Sequence, residues 1–302
     1  MKRVISVSLG ASKRDHRVEV ELLGEKCVIE RIGTDGDLKR AVALIRELDG
    51  KVDAFGMGGI DLYVQAGGKR YILREARQLA MAAKITPIVD GTGLKNTLER
   101  KAVLYLHDVL GVTIKDTKVL IVSAADRFGM AETFAELGAK LTLGDLIYTV
   151  GLPLPLHSLR ALGMVAKVLA PIMTQLPIKY LYPSGKEQDK SVHRGAKYFL
   201  ENKIIAGDFH FIRRYMPEPC PGKVVITNTV TLQDIEWLKQ RGVSRLVTTT
   251  PELEGRSFGT NVMEALLVAL SGQGQSALSA KEYEVLLDRL AFKPRVVELA
   301  SK

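Results

Sequence analysis

Apolar residues recur along this chain as short unbroken runs, each followed by a turn of small or polar residues and then a stretch with helical spacing. The clearest case opens at residue 118. Residues 119–122 (VLIV) are too continuously apolar for a strand with one wet face, so they read as a strand buried on both faces of a parallel sheet. Ser123, Ala124, Ala125, Asp126 and Arg127 make a small-residue turn. Residues 128–137 have helical character, and Gly138 stops it. Residues 140–143 form a second strand that ends at Gly144 and Asp145. Strand, tight turn, helix and strand over 118–145 is the opening unit of a dinucleotide-binding fold.

The same rhythm repeats on both sides. Upstream, 3–9 reads as a strand, and 17–23 with 26–32 alternate around Gly24 and Glu25 as a hairpin. Residues 38–48 are an amphipathic helix capped by the Thr34–Asp37 stretch. A strand from 52 runs into Gly56, Gly58 and Gly59, and 62–64 with 71–73 suggest a second hairpin. Residues 86–89 are strand-like, and a long helix follows over 94–110. Downstream, 204–208, 223–227 and 245–249 are further buried-strand patterns alternating with helices, which places them in parallel beside 119–122. Prolines 153, 155, 171 and 177 break the greasy 146–183 segment into short helices, and 184–195 is a polar loop. That segment reads as a buried connection or as the subunit interface of a homo-oligomer.

The expected fold class is therefore α/β: a Rossmann-like parallel sheet domain with a smaller N-terminal α/β domain. The expected units are an N-terminal domain over 1–110, a Rossmann-like domain over 111–270 and a helical tail over 271–302.

Composition narrows the function. The 302 residues are 25% charged and carry a net charge of +9, but Lys and Arg form no tract interleaved with aromatics, so no nucleic-acid platform is expected. The charge favours a small anionic metabolite as partner. The two cysteines, Cys27 and Cys220, have no metal spacing, and no metal site is expected. No apolar stretch reaches the ~18 residues of a membrane span, and the N-terminus lacks a signal-peptide core, so the expected location is cytoplasmic.

In an open parallel sheet, ligands lie beyond the carboxyl ends of the strands. At those ends stand Ser123, Asp145, Asp208, Asn228 and Thr249. Read as a cofactor site, Ser123, Ala124, Arg127 and Gly129 would hold a pyrophosphate at the helix start, Asp145 a ribose, and Asn228 and Thr249 the rim. An acid at the ribose favours NAD over NADP. Asp126 sets a negative charge where the phosphate would sit, with Arg127 to offset it. In the N-terminal half, Asp61 after the glycines and Asn261 at a helix start are candidate substrate contacts. Asp90 and Lys95, on one Gly-rich strand-to-helix turn, form a candidate acid–base pair.

The order of these features resembles the shikimate/quinate 5-dehydrogenase family. Residues 89–93 (VDGTG) are similar to the family's Asn-Thr-Asp-Gly-x-Gly motif, and 259–265 (GTNVMEA) to its closing glycine–methionine helix. The likeness covers roughly residues 50–270. It implies an NAD(P)-dependent oxidoreductase that transfers hydride at a hydroxyl of a small polyhydroxylated carboxylic acid, with Asp90 as the acid of the family's Lys–Asp pair. The family's lysine segment has no counterpart here. Lys95 stands in by proximity, with Lys69 and Lys84 as rivals. Ser6 and Ser8 have the spacing of the family's carboxylate-binding serines. The alternative is a non-redox enzyme or ligand-binding protein that uses the same rim for a phosphorylated or carboxylate metabolite.

Overall fold

Burial on both faces decides the architecture. A computed structural model of the chain describes residues 1–66, 69–175, 194–250, 252–253, 256–274 and 278–299. It is α/β, with two mostly parallel sheets. The first has the order His16–Leu22, Glu25–Gly33, Lys2–Ser8, Ala54–Gly58, Ile88–Val89; only the outer hairpin strand is antiparallel. The hairpin turns at Leu23 and Gly24, both with positive φ (53° and 80°), as a two-residue connection requires. Alternate residues of this sheet serve two cores. Val4, Ile29 and Ala54 face one core, while Ile5, Phe55 and Met57 face the other.

The second sheet has the order Arg295–Glu298, Arg245–Thr248, Val224–Thr227, Ile204–Ala206, Lys118–Ile121, Lys140–Leu143, all parallel except the Arg295–Glu298 edge. From Lys118–Ile121 the chain first adds a strand on one side and then returns to the other. That reversal makes a topological switch point between Lys118–Ile121 and Ile204–Ala206. Gly207 seals it: a Cβ there would come within 2.6 Å of Val122 Cγ2.

The expected three-part division needs correction. The Thr260–Ser271 helix packs on the first sheet, with nine of its twelve residues buried, and Ala280–Arg289 joins the same core. The chain then returns to the second sheet as Arg295–Glu298. The described residues of the 271–302 segment are thus not a separate tail. A helix reading VMEALLVAL is apolar on most of its circumference and needs neighbours on more than one side. The Thr92–Leu104 helix also belongs to both lobes, with Leu94 and Leu98 in one core and Ala102 and Val103 in another. It continues as a π-helical turn over Tyr105–Val109. The greasy segment holds a turn over Asp145–Val150 and the Leu159–Met173 helix. Its 176–183 end, and the polar loop up to 193, lie outside the described residues. Among the described residues no helix is long and apolar enough to cross a membrane.

Candidate active site in the cleft between the sheets

The carboxyl ends of both sheets border one cleft of about 1260 Å³. Lys95 lies at its floor, 6% exposed, on the first turn of the Thr92–Leu104 helix. Its Nζ donates to Asp126 Oδ1 at 2.7 Å and to Asp61 Oδ1 at 3.2 Å. Asp61 follows Gly58 and Gly59 at the end of the Ala54–Gly58 strand. A Cβ on Gly58 would come within 2.7 Å of Ser8, so the loop can turn there only without one. Asp126 comes from the turn after Lys118–Ile121. The amine therefore ties the two lobes together.

Arg127 is the second buried cation. Its guanidinium meets Glu99 at 2.8 Å, Asp208 at 2.9 Å and Asp126 at 3.3 Å. Glu99 is four residues after Lys95 on the same helix, one turn along the same face. That spacing was visible in the sequence and could have identified Glu99 as part of the cluster. Burial opposes charge at Lys95, yet the carboxylates of Asp126 and Asp61 overcome it and raise the amine's pKa. Asp126 moves below its ordinary range because Lys95 and Arg127 outweigh its own burial. Asp61 is pushed up to about 7, chiefly by burial and further by Asp126, against the pull of Lys95. Two acids sharing one ammonium thus end with widely separated pKa values.

Asp90 takes a different role from the one expected. Its Oδ2 accepts from the Leu62 amide at 2.5 Å and the Thr92 hydroxyl at 2.8 Å, and its Oδ1 accepts from the Thr92 amide at 2.9 Å. It ties the helix start to the 60s loop and does not pair with Lys95. Asp61, expected as a substrate contact, holds that position. Gly91, at φ +96°, brings the turn against the backbone of Asn261, where a Cβ would be 2.7 Å from the amide nitrogen. Its own amide donates to Glu264 at 2.6 Å, and Glu264 accepts from Tyr283 Oη at 2.5 Å. Glu264, 1% exposed and pushed up to about 7 by burial, is a lone acid in an apolar helix. That pattern was the available sign of its role.

Asn261, a candidate substrate contact, lines the cleft, with its Nδ2 donating to Ser6 Oγ at 2.7 Å. Ser6 and Ser8, two apart on one strand, share a face and both border the cleft. Ser8 Oγ accepts from Arg31 at 3.0 Å. Lys84 is bound through its backbone amide to Asp49 and is not among the residues that border the cleft. The side chain of Lys69 lies outside the described residues.

The expected pyrophosphate seat does not form. The amides of Ala124 and Ala125 donate to Asp145, at 3.1 and 2.8 Å. Asp145 is turned onto the turn itself and not toward a ribose; burial pushes it up to about 6 despite these bonds. Gly129 packs against the Thr92–Leu104 helix, where a Cβ would lie 2.9 Å from Asn96 Oδ1 and 3.1 Å from its backbone. Ser123 and Thr249 are buried, at 4% and 1% exposure, and Ala124 is fully covered. Asn228 borders the cleft but binds Asp208 at 2.8 Å and the Phe209 amide at 3.2 Å. Arg127 is held by three carboxylates. With an acid at the helix start and another on the turn amides, these residues do not fit a dinucleotide seated on this turn in the usual way. Among the described residues no cluster of His, Cys, Asp or Glu is arranged to hold a metal ion.

Residues 93–299 match the family model described as a domain of unknown function (DUF8754). The chain belongs to that family. Residues 3–90 match a second domain of unknown function (DUF8753), so the two matches meet at the Asp90–Gly93 turn. No curated protein matches the chain. Among solved structures it is similar to the NAD-dependent malic enzyme of Thermotoga maritima, at 10% identity and a TM-score of 0.36 over 96% of this chain and 84% of that one. It is similar to the hetero-hexameric glutamate dehydrogenase of Thermus thermophilus at 12% identity and 0.43, over 96% and 73%. An ABC transporter solute-binding protein of Actinobacillus succinogenes, with bound D-allose, matches at 12% and 0.38 over 99% and 98%. Likenesses this distant carry no argument about chemistry, which rests on the cleft.

Proposed function

We propose that the chain is an enzyme that binds a small hydroxylated carboxylic acid in the cleft and moves a proton at one of its hydroxyl or carbonyl groups. The observation that carries this is Lys95 held between Asp61 and Asp126 where the lobes meet. Asp61, with a pKa raised to about 7, is matched to accept or return a proton near neutral pH. Lys95 keeps its charge and supplies fixed electrostatic stabilisation to an oxygen that becomes negative as the proton leaves. Ser6, Ser8 and Asn261 border the same space and supply polar contacts for the rest of the substrate.

The second reading makes this step half of a redox reaction: an NAD(P)-dependent oxidoreductase of the quinate/shikimate 5-dehydrogenase type. The doubly wound sheet, with its switch point opening on the cluster, favours it. It requires the nicotinamide cofactor to be held elsewhere than on the Ala124–Ala125 amides. Titration with NADH and NADPH, followed by nicotinamide fluorescence and a screen of hydroxy acids, tests both readings. Cofactor binding with turnover that Lys95→Met lowers by roughly 10²–10³-fold supports the redox reading. Hydroxy-acid binding without cofactor binding leaves the non-redox enzyme. If the folded protein binds no hydroxy acid at all, the proposal fails.

A further inference from the structure

The cluster at the cleft floor is internally neutralised, but the rim above it is not. Lys95 and Arg127 are paired with carboxylates, Arg31 is bound to Asp15 at 2.7 Å, and Arg213 is paired with Asp234. Two half-buried guanidiniums that border the same cleft, Arg14 and Arg214, form no ion pair among the described residues. The Nε of Arg214 is buried without an acceptor. The two come from opposite lobes: Arg14 ends the Ser12–Arg14 turn beside the first sheet, and Arg214 lies on the Phe209–Tyr215 helix beside the second. His210 is four residues before Arg214 on that helix, hence on the same face one turn away. His210 and Arg14 both border the cleft, and the pKa of His210 is lowered, chiefly by burial and further by the charges of Arg14 and Arg213, against the pull of Asp208 and Asp234.

We propose that Arg14, His210 and Arg214 form a subsite for a phosphate monoester at the mouth of the cleft. It rests on the proposed substrate cleft and narrows the substrate to one that carries a phosphate as well as the group handled at Lys95. Two guanidinium forks from opposite sides offer paired N–H donors to phosphate oxygens, a geometry that a lysine rim would not supply. The buried, unpartnered Nε of Arg214 is a donor already desolvated, which strengthens an anion contact. Because the donors come from both lobes, the phosphate would draw the lobes together over the Lys95 cluster.

The test is calorimetric titration of the full chain with inorganic phosphate, then with glycerol 3-phosphate and adenosine 2′,5′-bisphosphate, which separate a metabolite phosphate from a nucleotide one. The expected result is saturable phosphate binding, weakened about ten-fold or more by Arg14→Gln and by Arg214→Gln. Both arginine sites are partly exposed, so their variants should melt like the parent, and a thermal scan checks this. Phosphate binding that is absent, or equal in the parent and both arginine variants, overturns the proposal. Phosphate binding through these arginines without any hydroxy-acid binding would sink the proposed function and leave the subsite. Turnover of an unphosphorylated acid by a protein that binds no phosphate through these arginines would do the reverse.

Discussion

Two of the strand-to-helix turns that carry an aspartate do opposite things. At the first, Asp90 folds back on its own turn and holds the amides of Thr92 and Leu62. At the second, Asp126 reaches outward to Lys95, and the turn amides are taken by Asp145 from the next strand. A helix start has unpaired amides that need acceptors. At Asp90 the turn's own acid supplies one, and both of its carboxylate oxygens are committed to the scaffold. Where a neighbouring strand supplies it, the turn's acid is released into the cleft. The same residue type in the same local setting thus becomes a scaffold in one place and part of the charged cluster in the other.

Asp61→Asn breaks this contrast most severely. It should lower kcat/KM by roughly 10³–10⁴-fold once a substrate is in hand, whereas Asp90→Asn should cost far less turnover. In the parent, activity should rise with pH through about 7 as Asp61 loses its proton, and the Asn variant should lose that rise. If Asp90→Asn proves the more damaging to turnover at unchanged melting temperature, the assignment of roles is wrong. Lys95→Met should follow, with a loss of roughly 10²–10³-fold in kcat.

Gly91→Ala tests the first turn by structure. It combines a positive φ with a 2.7 Å approach to Asn261, so chemical denaturation should show a loss of about 3 kcal/mol. Asp145→Ala tests the second turn. It leaves the amides of Ala124 and Ala125 without their acceptor, at a cost of about 1–3 kcal/mol.

The smallest effect expected is on stability against pH. Asp61 and Glu264, at about 7, and Asp145, at about 6, all have raised folded-state values. Between their ordinary values and these, the folded state binds more protons than the unfolded one. Their contribution is therefore full in acid below about pH 4 and declines as pH rises through 6 to 7. Melting temperature should fall by a few degrees between pH 5 and 8 from these groups, and Glu264→Gln should flatten part of that fall.

Legibility followed the range of the interaction. The strand at 119–122, its helix and the strand at 140–143 were readable because continuous apolar runs and a glycine stop are local signals. The positions of Asp61, Lys95, Asp126 and Arg127 on loops and helix starts are readable for the same reason. What each acid faces was not. The pairing of Lys95 with Asp61 spans 34 residues and that of Arg127 with Asp208 spans 81. Gly129 stands at the helix start where a pyrophosphate is expected, yet it serves helix-to-helix contact with Asn96, which no spacing within 118–145 encodes.

The sequence by itself determined that this is an α/β chain with buried parallel strands, because two-sided burial writes unbroken apolar runs, and that acids and a lysine stand at the strand ends, because turns are marked by small and polar residues. Only the tertiary structure decided which acid meets which cation, that the 260–271 helix returns to the first sheet, and that Asp145 closes the turn amides. Those outcomes depend on distances across the two sheets, and electrostatic and close-packing forces act through space over a few ångströms, whatever the separation along the chain.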